Sequence, residues 1–112
     1  MDHQRVTQAI ILAGGAGTRL QPVLRGVPKP LAPVRGVPFV HYLLHWLESN
    51  GVTRVIASTG YLAEQMEAGF RGYAGALELD FVREESPLGT GGAIYRALRA
   101  AGPRRVFVLN GD

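Results

Sequence analysis

The chain has 112 residues, of which 46% are hydrophobic and 19% charged, a composition typical of one globular domain with a packed core. Its 12 basic and 9 acidic residues leave a net charge of +3, and the arginines are scattered, so no clustered basic face indicates nucleic-acid binding. The absence of cysteine excludes disulfides, thiolate metal sites and cysteine nucleophiles, and no apolar run approaches the ~20 residues of a membrane span. We therefore expect a cytoplasmic protein with no membrane or nucleic-acid partner.

The hydrophobic pattern predicts strands that alternate with helices along the chain. Predicted strands cover residues 6–13, 52–58, 77–81 and 105–109, and predicted helices cover residues 39–50, 63–70 and 90–101. The third strand is expected to be half-exposed, and the fourth to be buried. Gly51 is suited to the left-handed position that ends the first helix. Residues 14–38 are rich in glycine and proline, so we expect no regular structure there.

This order of elements predicts the fold class. Strands separated by helices form right-handed βαβ units, which give a mostly parallel sheet with helices on both faces. We therefore predict an α/β, Rossmann-like three-layer αβα architecture. Residues 1–112 are expected to be one part of a larger domain, cut at its carboxyl end, because the fourth strand would lack its far neighbour.

The first predicted strand runs directly into the glycine-rich loop 14–20. Glycines let backbone N–H groups point at an anion, while Thr18 adds a hydroxyl donor and Arg19 a forked cationic donor suited to phosphate. No Gly-Lys-Ser or Gly-Lys-Thr of a P-loop occurs, and Leu20 stands where a dinucleotide fingerprint requires glycine. The loop alone is equally compatible with a tight turn that binds nothing.

Lys29, the only lysine in the chain, stands between Pro28 and Pro30. The prolines restrict the backbone and hold the lysine in a defined position. A lysine held near a phosphate loop can neutralise charge on a transferring phosphoryl group. The alternative is an exposed lysine on a proline-rich surface loop.

Five ordered segments resemble the signatures of the sugar-1-phosphate nucleotidyltransferases. They are Gly14-Gly15-Ala16-Gly17-Thr18-Arg19-Leu20, Pro28-Lys29-Pro30-Leu31, Gly60-Tyr61, Glu84-Glu85-Ser86-Pro87-Leu88-Gly89-Thr90-Gly91-Gly92-Ala93 and Asn110-Gly111-Asp112. The resemblance implies the nucleotide-diphospho-sugar transferase fold, of which this chain would form the N-terminal, nucleotide-binding part. It also implies an enzyme that condenses an NTP with a sugar 1-phosphate, giving an NDP-sugar and pyrophosphate for cell-surface polysaccharide synthesis. The chain alone is not expected to suffice for activity.

The resemblance further implies residue roles. Arg19 and Lys29 would be catalytic, acting on the phosphates and the leaving pyrophosphate. The nucleotide would be held by Leu12, Ala13, Gly14, Gly15, Gly17, Thr18, Arg19, Glu84, Gly89 and Thr90. Asp112 would be one of two aspartates that bind Mg²⁺, a cation that prefers oxygen ligands. Asn-Gly-Asp is also an ordinary turn sequence.

The base and the sugar are less strongly indicated. Guanine presents an N1–H and an exocyclic NH₂ side by side, and the carboxylate of Glu84 or Glu85 can accept from both. Within the family, the sequence is most similar to the D-glycero-D-manno-heptose 1-phosphate and mannose-1-phosphate guanylyltransferases. GTP is therefore favoured over the substrates of uridylyl- and thymidylyltransferases.

Several alternatives remain open at this point. A nucleotide-binding or regulatory module without turnover fits the same motifs, because only one candidate metal aspartate is present. His41 and His45 have the spacing of a helical metal pair, but they are interpreted as residues of a helix face. Tyr42 and Trp46 are expected to pack in the core or between helices. The oligomeric state is open, a homo-oligomer included.

Overall fold

The computed structural model describes residues 5–14, 27–60, 62–84, 89–102 and 105–111. Its strands are β1 Gln8–Ala13, β2 Pro33–Val34, β3 Val37–Pro38, β4 Arg54–Thr59, β5 Glu78–Arg83 and β6 Val106–Asn110. Its α-helices are α1 Phe39–Ser49, α2 Ala63–Arg71 and α3 Gly89–Ala101, and Lys29–Leu31 form a 3₁₀ helix. The strands and helices predicted from hydrophobic periodicity are all present, with ends that differ by one or two residues.

The central sheet has the order β5-β4-β1-β6, and all its strands are parallel. Ala13 is in register with Thr59, and Thr59 with Arg83, so β1, β4 and β5 end at the same level. Leu12 is in register with Asn110, which brings the end of β6 to that level too. The residues that follow the four strands therefore form one row along the carboxyl edge of the sheet.

Alternating residues of β1 face two separate apolar clusters, because successive side chains of a strand point to opposite faces. Ala9, Ile11 and Ala13 pack with buried residues of α1 and α2, among them Leu44 and Phe70. On the other face, Ile10 packs with Ile56 of β4 and with Ala97 and Ala101 of α3. The predicted three-layer αβα architecture is confirmed.

The end of α1 follows the sequence prediction for Asn50-Gly51. Gly51 has a φ of 94°, in the left-handed region that favours glycine. Its N–H donates to the Glu48 carbonyl over 3.1 Å, and the Val52 N–H donates to the Leu47 carbonyl over 3.1 Å. These two bonds form a Schellman motif, which satisfies the last helical carbonyls and turns the chain into β4.

The segment 14–38 contains more regular structure than expected. Residues 27–38, which the structure describes, form the 3₁₀ helix and a two-stranded antiparallel hairpin of β2 and β3. The turn residues Arg35 and Gly36 both have positive φ, at 53° and 79°, which is the geometry of the tight turns that join hairpin strands. The expectation that this stretch lacks regular structure is therefore wrong for these residues.

Two expectations about burial are also wrong. The strand predicted at 105–109 is not buried, because β6 pairs only with β1 among the described strands and leaves Phe107 and Val108 exposed by 41% and 42%. Tyr42 and Trp46 lie on the outer face of α1, exposed by 42% and 54%, since Val40, Leu44 and Leu47 occupy the core face of that helix. None of the helices described here has the length and apolar character needed to cross a membrane.

Candidate functional site

The residues that follow the four parallel strands are Gly14, Gly60, Glu84 and Gly111. The Glu84 N–H donates to the Thr59 carbonyl over 2.7 Å, which ties the end of β5 to the end of β4. The Gly111 N–H donates to the Leu12 carbonyl over 3.0 Å, which ties the end of β6 to β1. Ligands of open α/β sheets bind beyond the carboxyl ends of the strands, so this row is the place where a substrate is expected.

The Glu84 side chain reaches along this row from β5 towards β1. A Cβ added to Gly60 would lie 3.2 Å from Glu84 Oε2 and 3.1 Å from the Gly14 oxygen. A Cβ on Gly14 would collide with the Glu84 carboxylate. The absence of side chains at these two glycines is what lets the carboxylate lie across the end of β4 and over the start of the glycine-rich loop.

Lys29 lies on the other side of the row, in the 3₁₀ helix. The Leu31 N–H donates to the Pro28 carbonyl over 2.9 Å, and the Ala32 N–H donates to the Lys29 carbonyl over 3.1 Å. Pro30 is buried against Gly111, where an added Cβ would lie 3.3 Å from Pro30 Cγ. The lysine backbone is therefore held beside the ends of β1 and β6.

Helix α2 packs against the 3₁₀ helix. Leu31 packs so closely on Gly69 that a Cβ at residue 69 would collide with the leucine side chain. His41 Nε2 donates to the Gly69 carbonyl over 2.7 Å and stacks edge-on against Tyr73, with ring centroids 5.9 Å apart. His41 thus joins two helices, and its place in the structure agrees with its interpretation as a helix-face residue.

A charged network lies at the ends of β4 and β5 on the α2 side of the sheet. Glu67 of α2 accepts two hydrogen bonds from Arg83, from Nε over 2.8 Å and from the terminal guanidinium nitrogen Nη2 over 3.0 Å. Its Oε2 also accepts from the Thr59 hydroxyl over 3.2 Å. The hydrogen bond from Arg83 is the main reason that the pKa of Glu67 lies below its usual value, and the same pair raises the pKa of Arg83.

The sequence did not single out Glu67. It lies sixteen residues before Arg83, and the two are brought together only when α2 packs on the parallel pair β4–β5. An acidic residue on an amphipathic helix is ordinarily a solvated face residue, so its local pattern carried no signal.

The structure brings together part of the set of site residues expected from the sequence. Leu12, Ala13 and Gly14 lie at the end of β1, and the Glu84 carboxylate lies over Gly14. Pro30, next to Lys29, packs against Gly111 at the end of β6. Gly89 and Thr90 open α3, whose N-terminal N–H groups favour an anion. Gly15, Gly17, Thr18, Arg19, Glu85 and Asp112 lie outside the described residues. Within the described ranges, no group of three or more His, Asp or Glu side chains is arranged to hold a metal ion.

This arrangement favours recognition of a planar polar group. Gly14 and Gly60 leave room for the Glu84 carboxylate, which provides two acceptor oxygens at the edge of the row. An N–H pair on a heterocycle is the complementary partner of such a carboxylate.

The chain is similar to known proteins in both sequence and structure. Residues 9–112 match the MobA-like NTP transferase domain family. The chain is 43% identical over 105 residues to the D-glycero-alpha-D-manno-heptose 1-phosphate guanylyltransferase of Aneurinibacillus thermoaerophilus, covering 94% of this chain and 46% of that protein. It is 41% identical over 111 residues to the mannose-1-phosphate guanylyltransferase of Mycobacterium tuberculosis, covering 98% of this chain and 30% of that protein. The chain spans less than half the length of these curated relatives.

Among solved structures, HddC from Yersinia pseudotuberculosis complexed with GMP-PN superimposes with a TM-score of 0.84 at 39% sequence identity. The match covers 96% of this chain and 48% of that one. The resemblance inferred from the five sequence motifs is confirmed, and the chain belongs to the MobA-like NTP transferase domain family.

Proposed function

We propose that this chain is the nucleotide-binding part of a sugar-1-phosphate guanylyltransferase, which joins GTP to a sugar 1-phosphate and releases pyrophosphate. The observation that carries the proposal is the Glu84 carboxylate lying over Gly14 at the carboxyl edge of the sheet. Membership of the NTP transferase family and likeness to proteins named as guanylyltransferases support it.

Guanine is the base that fits this carboxylate. Its N1–H and exocyclic NH₂ point in the same direction and can donate to the two oxygens of Glu84. Uracil and thymine offer a single N–H between two carbonyls, which would face the carboxylate with repulsion. Adenine presents an unprotonated ring nitrogen at the equivalent edge. Burial away from water makes such a mismatch costly, because polar groups are left unpaired.

The reaction requires little covalent chemistry from the protein. An oxygen of the sugar phosphate attacks the α-phosphorus of GTP, the bond to the β-phosphate breaks, and pyrophosphate leaves with the electron pair of that bond. Both reactants are anions, so catalysis depends on positioning and charge neutralisation. Arg19 and the glycine-rich loop would hold the pyrophosphate, and Lys29 would neutralise the phosphates at the reacting centre.

Mg²⁺ is the metal that this chemistry implies. It prefers oxygen ligands and is commonly held by one or two carboxylates together with substrate phosphates. Asp112, which directly follows Gly111 in the sequence, would supply carboxylate oxygens of this kind, and the Gly111 N–H donates to the Leu12 carbonyl at the end of β1. Bound there, the ion would neutralise the phosphates during transfer.

Pyrophosphate release tests the proposal. The gene product that contains this chain is incubated with Mg²⁺, one of GTP, UTP, dTTP, CTP or ATP, and a heptose, mannose, glucose or N-acetylmuramate 1-phosphate. We expect pyrophosphate release with GTP and one of the sugar phosphates, and that result would also identify the sugar substrate. If no pair gives pyrophosphate release and nucleotide binding is retained, the result would instead support a binding module without turnover.

A further inference from the structure

The 3₁₀ helix that carries Lys29 packs between two glycines. On one side, Leu31 lies against Gly69 of α2, where a Cβ at residue 69 would collide with both methyl groups of the leucine. On the other side, Pro30 is buried against Gly111 at the end of β6, where an added Cβ would lie 3.3 Å from Pro30 Cγ. This single helical turn therefore fits closely between the two glycines.

Helix α2 is firmly held at Gly69. Its neighbours Met66 and Phe70 are fully buried in the core, and His41 of α1 donates from Nε2 to the Gly69 carbonyl over 2.7 Å. Glycine is a poorer helix former than alanine, but at this position it leaves the space that Leu31 occupies. A larger residue at this position would therefore displace the 3₁₀ helix rather than α2.

A displacement of Leu31 would be passed on to Lys29. The Leu31 N–H donates to the Pro28 carbonyl over 2.9 Å, and the Ala32 N–H donates to the Lys29 carbonyl over 3.1 Å, so the backbone of this turn is closed on itself. Pro28 and Pro30 flank the lysine, and their rings fix φ. Little conformational freedom is left between the leucine and the lysine to absorb a shift.

We propose that Gly69 is a positioning residue for phosphoryl transfer, because the space it leaves for Leu31 sets the place of Lys29 at the reacting phosphates. This inference rests on the proposed function, since it needs Lys29 to act on those phosphates. The candidate base site depends on a different contact, that of the Glu84 carboxylate with Gly14. A change at residue 69 should therefore affect turnover more than GTP binding.

The experiment is Gly69→Ala in the gene product that contains this chain, assayed by pyrophosphate release with Mg²⁺, GTP and the sugar 1-phosphate that the parent turns over. We expect kcat to fall about tenfold, because a small misplacement of a charge costs transition-state stabilisation. The KM for GTP should stay within about twofold of the parent. Circular dichroism checks that the variant is folded at the assay temperature.

Gly72→Ala is the matched control, at the residue that caps the same helix. Gly72 has a φ of −70°, which alanine adopts without strain, and its added Cβ would come no closer than 3.4 Å to another group. Both kcat and the KM for GTP should stay within about twofold of the parent in this variant. An equal loss of kcat in the two variants would contradict a specific role of Gly69.

A compensating substitution separates positioning of the 3₁₀ helix from an effect confined to α2. Leu31→Val removes one methylene, which is the volume that Gly69→Ala adds. The double variant should therefore recover kcat to within about threefold of the parent. If Gly69→Ala acted through α2 alone, the loss of apolar contact at residue 31 would leave the double variant at least as impaired as the single one. That result would overturn the inference.

The remaining outcomes also decide the question. If Gly69→Ala does not fold, Leu31→Ala provides the test, because it empties the same contact: a lower kcat with a near-normal KM for GTP supports the inference, and an unchanged kcat contradicts it. If the parent releases no pyrophosphate, or if Lys29→Ala has a normal kcat, the proposed function or the role of Lys29 fails together with this inference. If Lys29→Ala is impaired and Gly69→Ala keeps its full kcat, only the role of Gly69 is wrong.

Discussion

The carboxylate of Glu84 lies over Gly14, although the two residues follow strands that are separated by β4. The Glu84 N–H is bonded to the Thr59 carbonyl at the end of β4, and the side chain extends from there across Gly60 towards β1. Gly60, at the end of the intervening strand, has no side chain to obstruct it. One acidic side chain and two glycines thus define the edge of the candidate base site.

Glu84→Gln should change base selectivity more than turnover. An amide offers one acceptor and one NH₂ donor, so it can satisfy only one of the two donors of guanine and is better matched to uracil. We expect the affinity for GTP to fall about tenfold and the GTP-over-UTP preference to narrow. Equilibrium binding of the two nucleotides measures both effects, and unchanged affinities would contradict the assignment of Glu84 to the base.

Gly60→Ala should weaken nucleotide binding by crowding the same edge. The new Cβ would press on the Gly14 oxygen and on Glu84 Oε2, at 3.1 and 3.2 Å. We expect a loss of about tenfold in GTP affinity, in line with the usual cost of overpacking. The measurement is a GTP titration, supported by thermal unfolding of the same sample.

Gly102→Ala is the control for that experiment. Gly102 follows α3 with a φ of 84°, and a Cβ there would meet nothing within 4 Å. The substitution should therefore destabilise the protein by about 1–2 kcal/mol through backbone strain alone. Its GTP affinity should stay at the parent value, and an equal loss of affinity in both variants would mean that destabilisation explains Gly60→Ala.

Arg19→Ala and Lys29→Ala in the gene product that contains this chain should each lower kcat at least about tenfold, with the fold intact. Each substitution removes a positive charge that, in the proposed mechanism, stabilises the phosphates during transfer. Steady-state pyrophosphate release gives kcat, and circular dichroism checks the fold. Near-normal kcat values for both variants would contradict the proposed role of these two residues in binding the phosphates.

Tyr73 gives a prediction about alkaline stability. Burial, the hydrogen bond of 2.6 Å to Glu48 and the charge of Glu48 raise the pKa of Tyr73 from 10.0 to about 12. The folded state thus favours the neutral phenol, and this contribution to stability is complete below pH 10 and is lost as the pH rises through about 12. The ultraviolet titration of tyrosinate should show one late step that disappears in Tyr73→Phe.

Glu48→Gln tests the cause of that shift. Removing the carboxylate charge should lower the pKa of Tyr73 while leaving it above 10.0, because burial, the largest cause, remains. A pKa that stays at about 12 in this variant would show that Glu48 contributes nothing to it.

The fold could be predicted from the sequence because its strands and helices have clear apolar periodicity and alternate along the chain. The parallel order then places the residues after β1, β4, β5 and β6 in one row. The exposure of β6 could not be predicted from the sequence. Apolar residues indicate that a strand prefers the core, but they do not show which neighbouring elements are present to cover it. The hairpin was missed because its prolines and glycine also fit an irregular loop.

The sequence offered candidate site residues only where a local motif marks them, as in the Lys29 segment and at Glu84, while the glycine-rich loop beyond Gly14 stays a prediction. The reach of Glu84 to Gly14 and the pairing of Glu67 with Arg83 depend on contacts between distant segments. No local pattern encodes such contacts, so they become visible only in the assembled structure.

The most direct test of the central claim is the fate of the α-phosphate of GTP. GTP labelled at that position is incubated with Mg²⁺, a sugar 1-phosphate and the gene product that contains this chain, and the products are separated. We predict that the label appears in a GDP-sugar while unlabelled pyrophosphate is released in equal amount. Label in free GMP or GDP, with none transferred to the sugar phosphate, would contradict nucleotidyl transfer.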